Sequence, residues 1–332
     1  MPDRSPLALR RFALVAVVLP IAISVVALVA QAFLLPTLPD PVATHWGLDG
    51  RPDGFGPAWV NLVLTVVVGL GIPLVIAASG LGGLRRGDHG GTYRLLGATA
   101  LAMSVLMAVI GTGALALQAG LTDAANAPGI GLVTLGAFVL AGAAGVLGWF
   151  LQPHEPFRAM TLPAGDPLTL SGTEKAVWLQ RVSLARSGVI VLGAAFVLIF
   201  VVSVVALSAS PEPFIAWLLV GVMLVMAATF ATTLAFHVRV DDDGLRVTSV
   251  TGFPRVHIPL DEIARAEAVE VNPMGEFGGW GLRWAPGGGF GVVLRRGPGI
   301  RVTRTNGKTF TVTVDDAETG AALLQALATR VG

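Results

Sequence analysis

The sequence contains no cysteine, and charged side chains make up only 13% of its 332 residues. The absence of cysteine excludes disulfides, thiolate nucleophiles, iron–sulfur clusters and cysteine-ligated zinc. The charged fraction is well below the roughly 25% that is usual in soluble domains. Together with a hydrophobic content of 54%, it indicates an integral membrane protein.

Six apolar runs are long enough to cross a bilayer, since a spanning helix needs about 20 mainly apolar residues. None of the runs contains Asp, Glu, Lys, Arg or His. They are Phe12 to Leu35, Pro57 to Ser79, Leu95 to Gly120, Gly129 to Leu151, Gly188 to Leu207, and Phe214 to Phe236. The sequence therefore predicts a mostly α polytopic bundle of six transmembrane helices over residues 1–236. The first run exceeds the length of a signal-peptide core, so we expect an uncleaved anchor.

The distribution of basic residues predicts the orientation of these helices. Ten lysines and arginines lie in the amino-terminal tail and in the second and fourth connectors, against one, Arg51, in the other three. Cytoplasmic loops carry the excess of such residues. We therefore expect both termini on the cytoplasmic side of a bacterial plasma membrane, with the first connector, 36–57, outside.

Two predicted spans contain a proline, Pro20 in the first and Pro73 in the second. Each removes a backbone hydrogen bond and tends to kink its helix. In the fourth span, Ala137, Ala141 and Gly145 place small side chains on one face, a pattern that allows close helix packing in lipid. We expect this face to pack within the bundle.

The fourth connector, 152–187, is predicted to contain a helix on the inner membrane surface. Ser171 and Glu174 form a capping-box pattern, so the helix should begin near Gly172. Trp178, with basic neighbours on both sides, suits the lipid–water boundary. Anchoring to the membrane surface is the role that this pattern favours.

From His237 the hydrophobic periodicity changes to about two, which indicates strands. Eight short candidates follow: FHVRVD, GLRVTSV, RVHIPL, RAEAVEV, GLRWAP, FGVVLRR, GIRVTRT and TFTVTVD. Asn306-Gly307 predicts a hairpin between the last two, and an amphipathic helix follows, with Asp315 and Glu318 as its capping pair. Residues 237–332 thus predict a small β-barrel domain with a C-terminal helix.

This order of elements, with IPLDEIARAEAVEVNP and GGWGLR between strands, resembles the bacterial pleckstrin-homology-like (PH-like) domains of membrane proteins. The resemblance implies a cytoplasmic module that binds a peptide, lipid or protein partner. The domain carries 11 basic and 11 acidic side chains, and without a basic excess or a reading motif we expect no nucleic-acid binding. A basic cluster is a candidate for contact with anionic headgroups, with ordinary solvated strand positions as the alternative. It consists of Arg295, Arg296, Arg301 and Arg304.

The first connector contains LPDPVATHWGLDGRPDGFGP, residues 38–57. Its pattern resembles the motif of the domain of unknown function sixteen forty-eight, an extracytoplasmic segment shared with the Sdp-type toxin-immunity and signalling membrane proteins. The motif residues are Pro39, Asp40, His45, Trp46, Gly50, Pro52 and Asp53. Ala43 and Gly47 depart slightly from the family pattern, and the resemblance covers about residues 15 to 65. It implies protection from a secreted peptide toxin as a hypothesis.

The prolines of this connector should stiffen it, and the Asp-Gly pairs at Asp49 and Asp53 favour turns. We expect a packed cap over the helices without regular secondary structure. His45 with Asp49 or Asp53 could bind a metal or sense external pH. The alternative is that His45 donates to a backbone carbonyl and locks the loop, because a metal site needs three or four converging ligands.

The sequence therefore favours a non-enzymatic membrane protein that needs no cofactor and acts in sensing, immunity or signal transduction. Its expected partners are membrane lipids, a secreted peptide toxin outside and a cytoplasmic protein inside. A small-solute or ion transporter is the alternative, although no ionisable residue lies in a span, where transport sites usually have one. A membrane-bound, metal-dependent enzyme would need His45 and the aspartates as its site.

Overall fold

The computed structural model describes residues 5–47, 49–88, 90–154, 160–161, 175–209, 213–285 and 289–331. The chain divides into two compact units, and each is described by itself. The first comprises Met1–Gly87, Tyr93–His154 and Gly193–Val225, and the second comprises Asp88–Thr92, Glu155–Leu192 and Met226–Gly332. The sequence predicted a boundary between the two domains after residue 236, whereas the second unit also contains residues that come earlier in the chain.

Within the described residues, six helices are long and apolar enough to cross a membrane, as the sequence predicted. The spans are Leu7–Thr37, Trp59–Arg85, Gly91–Ala116, Gly131–Leu151, Arg186–Val205 and Ala216–Thr233. The α-helices within and around them are α1 (Ser5–Ala13), α2 (Leu19–Leu34), α3 (Trp59–Leu64), α4 (Ile72–Arg85), α5 (Gly91–Ala116), α6 (Gly131–Leu151), α7 (Arg186–Ala209) and α8 (Pro213–Thr233). A chain with six such helices is a multi-pass membrane protein.

Both span prolines follow a short π-helical segment. Leu14–Val18 lies between α1 and α2, just before Pro20. Thr65–Gly71 lies between α3 and α4, just before Pro73. Proline has no N–H for the carbonyl four residues earlier, and its ring clashes with that carbonyl. The wider π-helical turn accommodates this break inside an otherwise continuous helix.

The carbonyl four residues before Pro73 belongs to Gly69, and it cannot accept the α-helical hydrogen bond that an N–H at position 73 would supply. Two serines from other helices donate to it: Ser104 of α5 at 2.7 Å and Ser24 of α2 at 3.4 Å. Both serines are buried. In a lipid environment no water can satisfy such a group, so these bonds both complete the broken helix and join it to its neighbours.

We expect Ser104→Ala to destabilise the first unit by roughly 0.5 to 1.5 kcal/mol, the range for interhelical hydrogen bonds in membranes. The free energy of unfolding in mixed micelles measures the effect. Ser79→Ala is the matched control, because the Ser79 hydroxyl donates to the carbonyl of Ile76 on its own helix.

A proline replacement tests whether the Ser104 hydroxyl substitutes for the backbone N–H that is missing at Pro73. Pro73→Ala restores an N–H that can reach the Gly69 carbonyl, so the cost of Ser104→Ala should fall in that background. An equal cost in both backgrounds would contradict the assignment of Ser104 as the substitute donor.

Small residues set the close contacts in the first unit. Ala137 and Ala141 of α6 are buried, and a Cβ at Gly145 would lie 3.4 Å from the Cβ of Ala102 on α5. A Cβ at Gly80 would come within 2.7 Å of the ring of Phe12. The predicted small-residue face of the fourth span therefore packs inside the bundle.

The strands form three sheets. A hairpin of the first unit contains β1 (Val42–Trp46) and β2 (Pro52–Gly56). The strands of the second unit are β3 (Met160–Thr161), β4 (Trp178–Ser183), β5 (Ala235–Asp241), β6 (Gly244–Ser249), β7 (Arg255–Ile258), β8 (Ile263–Val271), β9 (Gly281–Trp284), β10 (Phe290–Val293), β11 (Gly297–Arg304) and β12 (Thr309–Thr313). They form a four-stranded sheet in the order β4-β5-β6-β7 and a six-stranded sheet in the order β3-β8-β11-β12-β10-β9.

The eight strands that the sequence predicted are confirmed as β5 to β12, including the hairpin around Asn306-Gly307. Two further helices are α9 (Pro273–Phe277) and α10 (Ala317–Val331). Residues of both sheets and of α10 share one core, in which Phe236, Ile300 and Leu324 are fully buried. The second unit is thus β-rich with a C-terminal helix, and closure of its sheets into a barrel is not shown.

The predicted interfacial helix is wrong over residues 178–183, which form β4. Alternate residues of this strand are more buried, with Trp178 packed against the core and Val182 inside it. The strand pairs along its whole length with β5. Burial of one face against a distant strand outweighs the local capping pattern, whose residues Ser171 and Glu174 lie outside the described part of the chain.

The cap of α10 also differs from the prediction. The Oδ1 atom of Asp316, rather than Asp315, accepts the N–H of Thr319 at 3.3 Å. The pKa of Asp316 is lowered, mainly by a hydrogen bond from the Thr319 side chain; desolvation opposes this, and the Trp178 indole and the Thr319 backbone N–H add smaller lowering effects. Asp315 instead forms an ion pair with Arg295. Asp316 caps the helix because it lies one residue before the start of α10, whereas Asp315 lies two residues before it.

Candidate functional site

Within residues 38–57, β1 and β2 form a β-hairpin rather than the irregular connector that the sequence predicted. Val42 pairs with Gly56 and Trp46 with Pro52, with register irregularities on either side of His45. The turn forms at Asp49-Gly50, where Gly50 has a φ of 79°, as the sequence predicted. The second Asp-Gly pair, at Asp53, lies inside β2 instead, because cross-strand pairing extends that segment.

Gln118, just beyond α5, holds the hairpin edge. Its Oε1 accepts the N–H of Ala43 at 2.6 Å, and its Nε2 donates to the carbonyl of Ala43 at 3.0 Å. The same Nε2 also donates to the carbonyl of Ala114 at 2.9 Å. The side chain is 0% exposed. One amide therefore replaces a missing neighbouring strand and joins the hairpin to the end of a span.

The third connector makes further contacts with the hairpin and the segment before it. The indole N–H of Trp46 donates to the carbonyl of Pro128 at 3.1 Å. A Cβ at Gly129 would lie 3.1 Å from the carbonyl oxygen of Gly50. The N–H of Gly120 donates to the carbonyl of Thr37 at 2.7 Å. These contacts hold the hairpin at both its turn and its base.

His45 and Asp53 form an exposed pair across the hairpin. Nδ1 of His45 lies 2.5 Å from Oδ1 of Asp53, and their side chains are 70% and 52% exposed. Asp49 accepts the backbone N–H of Arg51 at 3.1 Å. A Cβ at Gly47 would lie 2.9 Å from the Asp49 carboxylate and 3.0 Å from that of Asp53. Glycine at this position therefore allows the two carboxylates to flank the strand.

The structure shows which group the His45 ring contacts. The polar partner of its ring is a carboxylate, not the backbone carbonyl of the alternative interpretation. In the described part of the chain, no group of three or more His, Cys, Asp or Glu side chains is placed to hold a metal ion. The pair is accessible to a ligand from solution.

The other motif residues differ in how far they are buried. Pro39 is buried where the chain leaves the first span, and Asp40 beside it is exposed. Gly50 and Pro52 are half-buried. The motif therefore supplies the hairpin frame, while His45 and Asp53 form its exposed polar pair.

A buried polar cluster within the spans was not recognised from the sequence as a site. Nε2 of Gln31 donates to Oγ1 of Thr65 at 2.9 Å and lies 3.4 Å from Oγ1 of Thr112. Asn61 donates to the carbonyl of Gly111 at 3.4 Å. The signal was present, since Gln31, Asn61 and Gln118 are amide side chains in otherwise apolar runs. The convergence of Gln31 and Asn61 depends on how the helices pack, and Gln118 lies apart from them at the hairpin.

The basic cluster of the second unit consists of ion-paired arginines. Arg301 pairs with Glu276, whose pKa is raised by burial and partly lowered again by the charge of Arg301. The remaining pairs are Arg295 with Asp315, Arg296 with Asp88 and Glu270, and Arg304 with Glu262. The lipid-facing role of these arginines stays a prediction, and much of their charge is compensated by carboxylates.

The six apolar helices and the helix-bound hairpin define a multi-pass membrane protein with a structured loop after its first span. A family model described as Domain of unknown function (DUF1648) matches residues 22–70. The match contains most of α2, the hairpin and the second span as far as its π-helical segment, so this domain is confirmed. No curated protein and no solved structure matches the chain.

We expect Gln118→Met to loosen the hairpin while keeping the side-chain volume. The N–H and carbonyl of Ala43 lose their buried partner, at a cost of about 1 to 3 kcal/mol. Amide hydrogen exchange of Ala43 should therefore accelerate by roughly tenfold to a hundredfold. Asn126→Ala is the control, because Asn126 is exposed on the same connector. Unchanged protection in Gln118→Met would show that the amide does not hold the hairpin.

Proposed function

We propose that the protein is a non-enzymatic membrane sensor or immunity protein. The hairpin 42–56 recognises a secreted peptide on the extracytoplasmic side, and the second unit, with a PH-like role, binds a lipid or protein partner in the cytoplasm. The orientation follows from the excess of basic residues in the predicted cytoplasmic segments.

The bonding of Gln118 to both the N–H and the carbonyl of Ala43 carries this proposal. It links an exposed hairpin to the end of a spanning helix through buried hydrogen bonds. A ligand that moved the hairpin would therefore act directly on α5. A flexible surface loop would have no such connection to the bundle.

The exposed surface of the hairpin suits a peptide ligand. The His45–Asp53 pair offers polar contacts, and Phe55 and Trp59 are large exposed apolar side chains nearby in the sequence. Aromatic residues beside a few polar groups are typical of protein recognition surfaces. The resemblance to the Sdp-type proteins favours a secreted toxin as the peptide.

Transport is the second candidate, and the Gln31 cluster is the observation that favours it. Buried polar side chains in a span often mark a solute pathway. Here the amide and hydroxyl groups donate to one another and to helix backbone, which also suits a purely structural role. Uptake of labelled solutes into liposomes containing the purified protein distinguishes the two.

A deletion strain tests the proposed recognition. Cells that express the His45→Ala/Trp46→Ala protein should be as sensitive to the cognate secreted peptide as the deletion strain, because the exposed pair and the indole anchor are both lost. Killing curves measure the effect, and membrane abundance is quantified in parallel.

The matched control removes one histidine and one tryptophan elsewhere in the first unit, His154→Ala/Trp217→Ala, and should retain protection. Full protection by the hairpin variant at normal abundance would contradict the proposal.

A further inference from the structure

A row of polar side chains with an arginine at each end crosses the outer face of the four-stranded sheet. Three cross-strand pairs define the row. Arg181 of β4 pairs with His237 of β5, and His237 pairs with Thr248 of β6. Thr248 in turn pairs with Arg255 of β7. Residues directly opposite each other project from the same face of a sheet. Three of these four residues are exposed and Thr248 is partly exposed, whereas neighbours such as Val238 and Val247 are buried in the core.

The two arginines of this row differ from the ion-paired arginines of the six-stranded sheet. Among the residues that the structure describes, neither Arg181 nor Arg255 has a carboxylate partner. In the next row along the strands, Arg239 is paired with Asp241 and Arg246 with Asp243. The uncompensated positive charge of the sheet is therefore concentrated in one row.

That row lies at the end of the sheet that joins the membrane spans. β4 ends at Ser183 and α7 begins at Arg186, while α8 ends at Thr233 and β5 begins at Ala235. The chain from Arg181 to Arg186 can extend over at most about 17 Å. The row is therefore held within reach of the headgroup layer by covalent connections on two adjacent strands.

The turn between β6 and β7 is bonded to the end of the last span. Oγ of Ser249 donates to the carbonyl of Thr232 at 2.8 Å, and the N–H of Val250 donates to the carbonyl of Ala235 at 3.1 Å. Phe253, in the same turn, is 73% exposed, and Val250 is also exposed. Exposed apolar side chains at the point where a spanning helix ends suit insertion into the membrane interface.

The uncompensated positive charge lies at one end of the sheet. At the opposite end of the strands from Phe253, β5 ends at Asp241, and Asp242 and Asp243 follow in the turn to β6. Asp241 and Asp243 are paired with Arg239 and Arg246, so an anionic surface would attract the end of the sheet that carries the arginine row. Arg246, Thr248, Arg255 and His257 also line an open concavity of about 600 Å³, large enough to admit a headgroup phosphate.

We propose that the row Arg181–His237–Thr248–Arg255 binds the phosphate groups of anionic lipid headgroups, while Phe253 and Val250 insert into the adjacent interface. The arginines supply charge-assisted hydrogen bonds to phosphate oxygens, and Thr248 supplies a hydroxyl. This inference rests on the proposed binding of a lipid partner by the second unit, for which it names the residues, and it is independent of toxin recognition by the hairpin.

Single-cysteine labelling tests the insertion, because the natural chain has no cysteine. The full-length Phe253→Cys protein, labelled with an environment-sensitive fluorophore, is reconstituted in phosphatidylcholine nanodiscs that contain increasing phosphatidylglycerol. Its emission should shift to the blue and be quenched by lipids brominated near the headgroup. The matched control is Trp284→Cys, at an aromatic residue that is 75% exposed on the other sheet, and should show neither effect.

The arginines are tested in the labelled Phe253→Cys background. Arg181→Gln and Arg255→Gln should each raise the phosphatidylglycerol fraction needed for half of the emission change by about fivefold, since one basic residue at a membrane surface is worth about that factor. Arg283→Gln, at an exposed arginine of β9, should leave the fraction unchanged. A probe at 253 that stays in water, or a phosphatidylglycerol response unaltered in both row variants, would overturn the proposal.

Discussion

The satisfaction of backbone hydrogen bonds in a medium without water governs the structure of the first unit. Lipid offers no partner for a free carbonyl or N–H, so each interruption of a helix has to be completed by the protein. Pro73 cannot donate to the carbonyl of Gly69, and two serines from other helices donate to it. This interruption of the second span thereby becomes a point at which three helices are joined.

The backbone groups at the edge of the hairpin also need hydrogen-bond partners. A two-stranded sheet has unpaired edges, and at the edge nearest the spans Gln118 supplies both a donor and an acceptor to Ala43. Because this amide also bonds to α5, the hairpin is continuous with the bundle through hydrogen bonds. In our proposal this continuity lets a surface recognition element act on the spans.

Periodicity predicted those parts of the fold that depend on local pattern. The six spans and the strands β5 to β12 followed from apolar run length and from alternation, and Asn306-Gly307 located a hairpin. β4 was missed because its partner β5 lies more than fifty residues away, beyond a span pair, whereas the capping pattern at Ser171 and Glu174 is local. The ion pairs of Arg296 and Arg301 depend equally on distant carboxylates.

For the candidate site, the sequence motif located His45 and Asp53. Their pairing and the role of Gln118 could not be predicted, because both depend on how the chain packs.

The central claim of our proposal is that the hairpin and the second unit act on opposite sides of one membrane. Single cysteines at Asp49, in the hairpin turn, and at Asn306, in the turn between β11 and β12, test it directly with a membrane-impermeant maleimide on intact cells. The account predicts that Asp49→Cys is labelled in intact cells and Asn306→Cys only after permeabilisation. Labelling of both positions in intact cells, or of Asn306→Cys alone, would contradict it.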